Sequence, residues 1–304
     1  MERFNKQSDN VKGALILMLA AFGFSLMVAL IKVAGERLPV TQILFIRQLG
    51  MTIMLAPILI KAFPESLNSA QPRLQFIRIF FALIAMVCGF TAVINMPMAD
   101  ATAIAFAKSF FVTIFAVLFL KETVGLYRWS AVAVGFLGVL VMLRPGAEGY
   151  SVYGLMALGA AASAGLVMVI IRLLTRTDQP STILAYQAIG VGIIMAVPAY
   201  IHWIPPTATE WALLAAIGFV SYFAQKANIY AFSYGEASLL ASLDYVRLIY
   251  ATLFGWILFS ELPSVSTGVG ATIIVLASIY TVHRESRRKQ ELASGPNGRG
   301  FTNS

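Results

Sequence analysis

The sequence predicts an all-α polytopic membrane protein with ten transmembrane helices, arranged as two inverted five-helix repeats. Three observations predict it. Of 304 residues, 59% are apolar and only 12% are charged, whereas a soluble domain carries about a quarter charged residues. The apolar residues form continuous runs near the length an α-helix needs to cross a bilayer; a membrane β-barrel would show shorter, alternating segments. Landmark residues also recur in order across the two halves of the chain.

Runs bounded by charge, proline or glycine place the spans at 13–33, 40–60, 74–95, 98–120, 126–143, 152–174, 181–202, 210–233, 237–259 and 265–283. Residues 1–12 are polar and form a cytoplasmic segment. The apolar run after them is longer than a signal-peptide core and has no small-residue cleavage site, so it reads as an uncleaved first span. The connections are short, which makes consecutive helices antiparallel neighbours.

Orientation follows from lysine and arginine. With the N-terminus inside, the cytoplasmic segments hold fourteen: Arg3, Lys6, Lys12, Lys61, Arg73, Lys121, Arg128, Arg172, Arg176, Arg284, Arg287, Arg288, Lys289 and Arg299. The outer segments hold three: Lys32, Arg37 and Arg144. Both termini are therefore expected in the cytoplasm, in the inner (cytoplasmic) membrane. The net charge of +8 sits at the ends of apolar runs, as a topology signal does, and does not point to nucleic acid. The tail 285–304 is basic and predicted to be disordered; the cluster around Arg287 and Arg288 fits contact with anionic lipid.

The repeat is read from spacing. Gly13 matches Gly154, Lys32 matches Arg172, Pro39 matches Pro180, Gly50 matches Gly190 and Glu122 matches Glu261, all at shifts of 139 to 141 residues. The two copies cover 13–145 and 150–284, with five spans each. An odd number of spans inserts the second copy upside down. Inverted repeats are the architecture of many secondary transporters, whose substrate site lies near the midplane where the copies meet.

Within this greasy chain the charges inside spans stand out. Residues 236–261 form one apolar run, yet carry Asp244, Tyr245 and Arg247 at its middle. A charge at the centre of a span costs roughly 2.5–3.5 kcal/mol on insertion scales. Shifted by 139 residues, Lys108 falls on Arg247, so matched helices carry a cation at matched depth. One reading points both into a cavity that holds an anionic substrate group. The other neutralises each within the protein: Asp244 lies one turn from Arg247, but no acid lies within a turn of Lys108. Asp244 is either a proton carrier in a coupled transporter or a fixed counter-ion of Arg247; a salt-bridged carboxylate carries protons poorly at neutral pH.

Arg47 and Gln48 in the second span, Tyr186 and Gln187 in the seventh, and Gln225 with Lys226 in the eighth should face other helices, not lipid. Cavity lining and helix-to-helix bonding are both open for them. Arg78 reads as an interface anchor. Glu122 and Glu261 close matched helices and read as structural or gating residues. The small residues of the fifth and tenth spans, Gly135, Gly138, Gly268 and Gly270 among them, fit either a homodimer contact or packing within one chain.

No enzyme motif is present: there is no HExxH, GxSxG or phosphate loop, and the two histidines lie at span ends. The single cysteine, Cys88, allows no disulfide within the chain and no cysteine metal cluster. Neither catalysis nor a cofactor or metal is expected.

Several stretches resemble the EamA family of the drug/metabolite transporter superfamily. They are 13–48 (GALILMLAAFGFSLMVALIKVAGERLPVTQILFIRQ), 97–106 (PMADATAIAF), 111–146, 234–263 (YGEASLLASLDYVRLIYATLFGWILFSELP) and 270–280 (GATIIVLASIY). Within the family the chain most resembles bacterial permeases of S-adenosylmethionine or general metabolites. The resemblance implies ten helices, a central cavity and movement of a small organic molecule. Fold is shared far more widely than substrate in such families. Two departures bear on this: Lys108-Ser109 stands where relatives often have proline, and Gln225-Lys226 where some have histidine.

The expected function is thus a secondary transporter working by alternating access, for a small metabolite with an anionic or zwitterionic group. Amino acids, organic acids and anionic vitamins such as riboflavin derivatives fit; S-adenosylmethionine, a zwitterion whose sulfonium and amine would want more than one acid, fits less well. A coupling proton or ion is an expected partner. The reading from a different class is a non-transporting scaffold or lipid-handling protein. A midplane cavity lined by Lys108 and Arg247 separates the two.

Overall fold

The structure, a computed structural model, describes residues 2–61, 63–64, 67–121, 125–143, 152–234, 240 and 243–294. It is all helix, with no strand among the described residues. The elements are α1 (Glu2–Ala34), α2 (Val40–Lys61), α3 (Pro72–Asn95), α4 (Met98–Ala105), α5 (Lys108–Leu120), α6 (Leu126–Leu143), α7 (Val152–Leu174), α8 (Pro180–Ile201), α9 (Ala208–Tyr234), α10 (Val246–Phe259) and α11 (Val265–Ser294). Seven segments are long and apolar enough to span a membrane, and three shorter apolar helices begin at Trp129, Val246 and Val265. Together these make ten apolar segments, in the order the sequence predicts.

Local chemistry sets the ends. Pro72 and Pro180 open α3 and α8 at the first helical position, where the missing N–H is no loss and φ is already helical. Thr207 caps α9: its Oγ1 accepts from the Glu210 N–H at 3.3 Å, while Glu210 Oε2 accepts from the Thr207 N–H at 2.7 Å, a reciprocal capping box. α5 and α10 both end on a residue in the left-handed region, Lys121 (φ 52°) and Ser260 (φ 54°). These positions are related by the 139-residue shift, so the repeat extends to backbone conformation.

The packing obeys a pseudo-two-fold exchange of the copies, under which α1 corresponds to α7, α2 to α8, α3 to α9, α4–α5 to the segment ending in α10, and α6 to α11. α1 packs on α9 and α3 on α7, which are exchanged pairs. α5 against α7 mirrors α1 against α10, and α2 against α9 mirrors α3 against α8. The pairs α2–α8 and α6–α11 map onto themselves. The copies are interdigitated, with each buried face of one covered largely by the other.

The α6–α11 contact accounts for the small residues of these spans. A Cβ on Gly270 would lie 2.6 Å from the Gly138 carbonyl oxygen, and one on Gly135 would lie 2.0 Å from the Phe110 ring. Gly135, Gly138 and Gly270 are thus used for packing inside one chain, while Gly268 has open space beside it.

One expectation needs correcting. The fourth and ninth spans, 98–120 and 237–259, are not single regular helices. The first breaks at Phe106 and Ala107, where Phe106, Ala107, Ser109 and Phe110 donate to carbonyls three residues back. The second breaks at Asp244 and Tyr245, and Arg247 and Leu248 likewise donate three residues back. Neither break carries glycine or proline. Irregular backbone at membrane depth is tolerated where it is buried in protein or lines a cavity, and both breaks lie beside the cations singled out above.

Candidate functional site

A cavity of about 410 Å³ lies among α1, α3, α4, α5 and α7, with Gln187 of α8 and Arg247 of α10 completing its wall. Most of the lining is apolar: Phe24, Met86, Phe90 and Val93 are typical. Five polar side chains reach it, namely Ser25, Thr102, Lys108, Gln187 and Arg247. Apolar walls with a few placed polar groups are the usual form of a small-molecule site.

The two matched cations therefore share one cavity, although 139 residues separate them in sequence. They face it because each begins a half-helix just after a break: Lys108 starts α5, and Arg247 lies in the first turn of α10. Arg247 Nε approaches Asp244 Oδ1 at 2.7 Å, but neither atom has a hydrogen bond aligned to it, so the contact is ionic. The guanidinium lies over the Phe24 ring, 4.3 Å from its centroid, a cation–π arrangement. Ser25 Oγ donates to the Arg247 carbonyl at 3.3 Å, tying α1 to the broken backbone. Among the described residues, no hydrogen bond or ion pair holds Lys108 Nζ. Arg247 and Asp244 lie within its electrostatic reach.

The structure separates the other expected residues. Gln187 lines the cavity, but the adjacent Tyr186 does not: the Tyr186 hydroxyl donates to the Leu67 carbonyl at 3.1 Å. Asp244 stands behind Arg247, off the cavity wall. Tyr245 is turned into the core against Phe106, ring centroids 4.7 Å apart. Arg47 is buried one layer back. It donates to Ser221 Oγ at 3.0 Å and Gln48 Oε1 at 2.7 Å, and its guanidinium sits 5.7 Å from the Phe90 ring. Gln225 is not on the wall, and the neighbouring Lys226 is exposed beside Tyr222. Arg47 and Gln225 belong to helices, α2 and α9, that put no residue on the wall, whereas Tyr186 and Gln187 share a helix and only Gln187 reaches it.

Arg78 is the residue that the sequence misplaces. It is no interface anchor but 1% exposed, inserted between α3 and α8. It donates to the Ile183 carbonyl at 2.8 Å and to Gln187 Oε1. A glutamine a few turns into a neighbouring span was the available signal, but nothing in the sequence pairs the two.

Away from the cavity, polar clamps close the helix ends. Lys32 Nζ contacts Glu261 Oε1 and the Met96 carbonyl, both at 2.6 Å, and Glu261 Oε2 accepts from the Met98 N–H at 3.0 Å. Arg37 pairs with Glu210. At the other end, Asp178 accepts from Ser69, from the Ala70 N–H at 3.0 Å and from Gln75 at 2.9 Å. Burial pushes the Asp178 carboxyl up, but the hydrogen bonds of Ser69, Gln75, the Ala70 N–H and Thr177 outweigh it and hold it below its ordinary value. Glu122, the counterpart of Glu261, lies outside the described residues. No group of three or more metal-binding side chains occurs among the described residues.

The chain is similar to known transporters over most of its length. The EamA-like transporter family model matches residues 11–144 and 152–282. A pseudopaline exporter of Pseudomonas aeruginosa is 33% identical over 272 residues, 88% of this chain and 94% of the relative. An S-adenosylmethionine uptake transporter of Rickettsia prowazekii is 29% identical over 263 residues, 84% and 87% of the two chains. A riboflavin transporter of Vibrio cholerae is 27% identical over 294 residues, 93% and 98%. One solved crystal structure superposes with a TM-score of 0.63 over 93% of this chain and 99% of its own, at 16% identity, which is a likeness of fold.

Proposed function

Because the chain belongs to the EamA-like transporter family and is a multi-pass membrane transporter, we propose that it moves a small organic metabolite bearing a carboxylate, a phosphate or a zwitterionic head. The cavity between the two copies is the substrate site, and the copies rock about it to expose it to one side at a time. The protein lies in the cytoplasmic membrane with both termini inside.

The observation that carries this reading is Lys108 Nζ, which lines the cavity without a carboxylate of its own. Buried charge is retained only when something compensates it. Around the cavity stand Lys108 and Arg247, with Arg78 and Arg47 behind them, against one carboxylate among the described residues, that of Asp244. An anionic group on the ligand restores the balance. A scaffold would have no use for an unpaired ammonium in a cavity. The relatives' names include an exporter and uptake transporters, so direction is a matter for flux in oriented vesicles.

The test is thermal stability of the purified protein against a panel of metabolites, with Lys108→Ala alongside. A ligand that binds only the folded state stabilises it, by about 2.7 kcal/mol at a hundredfold excess over Kd. The expected outcome is that carboxylate- or phosphate-bearing compounds raise the melting temperature and that the variant loses the response. Equal stabilisation of both proteins by neutral or cationic compounds would sink the anion reading.

A further inference from the structure

This inference rests on the reading of the cavity as an anion-accepting site and concerns a residue that does not touch it. Arg78 is nearly sealed from solvent and donates to the Ile183 carbonyl and to Gln187 Oε1. An arginine side chain has donors and no acceptor. The amide atom of Gln187 that faces it must therefore be the oxygen. The amide nitrogen lies on the other side of the planar group. Among the described residues it has no protein partner and is not closed off by protein, and Gln187 is on the cavity wall. The backbone of the same residue is braced as well: Gln48 Nε2 donates to the Gln187 carbonyl at 3.2 Å, and Gln48 in turn accepts from Arg47.

An unconstrained glutamine turns its amide over and offers either oxygen or nitrogen to a ligand. Here a flip would set N–H against N–H beside a buried guanidinium, leaving donors unsatisfied where that is costly. We infer that Arg78 is a positioning residue that sets the specificity of the cavity. By holding Gln187 Oε1 it makes the amide a dedicated N–H donor. Lys108, Arg247 and Gln187 then present donors only, and the cavity takes an oxyanion head, carboxylate or phosphate, at Gln187 while rejecting an amine there. Arg78 adds its positive charge from behind without contacting the ligand.

The test uses crystals of the full chain soaked in bromide, which accepts hydrogen bonds, cannot donate them and scatters anomalously. The expected result is an anomalous peak within hydrogen-bonding reach of Gln187 Nε2 in the native protein. Arg78→Lys, which keeps a donor to Oε1, retains the peak. Arg78→Met and Arg78→Gln, which let the amide turn over, lose it. Gln187→Glu keeps a partner for Arg78 but has no N–H to give; it loses the peak even if the Arg78 variants fail to fold. A peak that persists at Gln187 in Arg78→Met or Arg78→Gln overturns the inference. Bromide at Lys108 and Arg247 but not at Gln187 also overturns it, while leaving the proposed function standing. No bromide anywhere in the cavity overturns both.

Discussion

At the scale of single residues, Asp244 decides how much of the Arg247 charge the cavity feels. The pair is held at 2.7 Å with both side chains about four-fifths buried. Removing one partner of a buried pair leaves an uncompensated charge, at a cost of about 3–5 kcal/mol. Asp244→Asn should therefore lower the melting temperature and strengthen the response to anionic compounds, since Arg247 would then seek its counter-charge in the ligand. Unchanged stability with a loss of pH-dependent transport would instead assign Asp244 as the proton carrier. Asp178 makes a second residue-scale prediction. Its carboxyl is held below its ordinary value, so its stabilisation is complete above the unfolded-state pKa of about 3.9 and is lost as pH falls below it. Asp178→Asn should remove that acid sensitivity and cost about 1.5–3 kcal/mol at neutral pH, as charged hydrogen bonds do; melting curves of both proteins across pH check it.

At the scale of elements, the breaks in the fourth and ninth spans place the cations. A regular helix would turn Lys108 and Arg247 by its own periodicity; the short three-residue turns before them restart that periodicity and direct the half-helices α5 and α10 toward the cavity. The α6–α11 crossing is the opposite case, a contact where the two backbones themselves meet. Gly270 has no room for a side chain against Gly138, and over-packing such a contact costs about 1–3 kcal/mol. Gly270→Ala should lower thermal stability by that amount, with little change in the response to anionic compounds. Gly268, on the same helix with open space beside it, should accept alanine without loss, and the paired melting curves separate the two.

At the scale of the whole molecule, the pseudo-two-fold exchange explains why the cavity is shared. α1 and α3 of one copy pack on α9 and α7 of the other, so no copy encloses a site alone. The same symmetry puts clamps at both ends of the bundle: Lys32 and Arg37 with Glu261 and Glu210 at one, Asp178 with Ser69 and Gln75 at the other. Alternating access needs one end to open while the other stays shut. Glu261→Gln weakens only the first clamp. It is expected to raise labelling of a cysteine placed at the cavity-lining Val28 from the outer side in sealed vesicles, and to leave labelling from the inner side unchanged. Orientation has its own check. The fourteen lysines and arginines in the segments expected inside, against three in those expected outside, predict that a fluorescent reporter fused after residue 304 lights up in the cytoplasm, and that a periplasm-dependent phosphatase fused there stays inactive.

The number and order of the spans, the duplication and the matched positions of Lys108 and Arg247 along the two copies were all legible in the sequence, because each is a property of length, composition or spacing along one chain. The bilayer enforces these directly: backbone groups must be satisfied within each segment, and charge is expensive inside it. Which face of a helix meets the cavity was not legible. Tyr186 and Gln187 are neighbours in sequence, yet one bonds a loop and the other lines the wall. Tyr245 adjoins Asp244 but turns into the core. The breaks at Phe106 and Asp244 have no glycine or proline to announce them, and the Arg78–Gln187 bond joins residues 109 positions apart. Those features depend on how helices from two copies pack, and only the tertiary structure fixes that, because a single helix carries no information about which of its neighbours will satisfy a buried polar group.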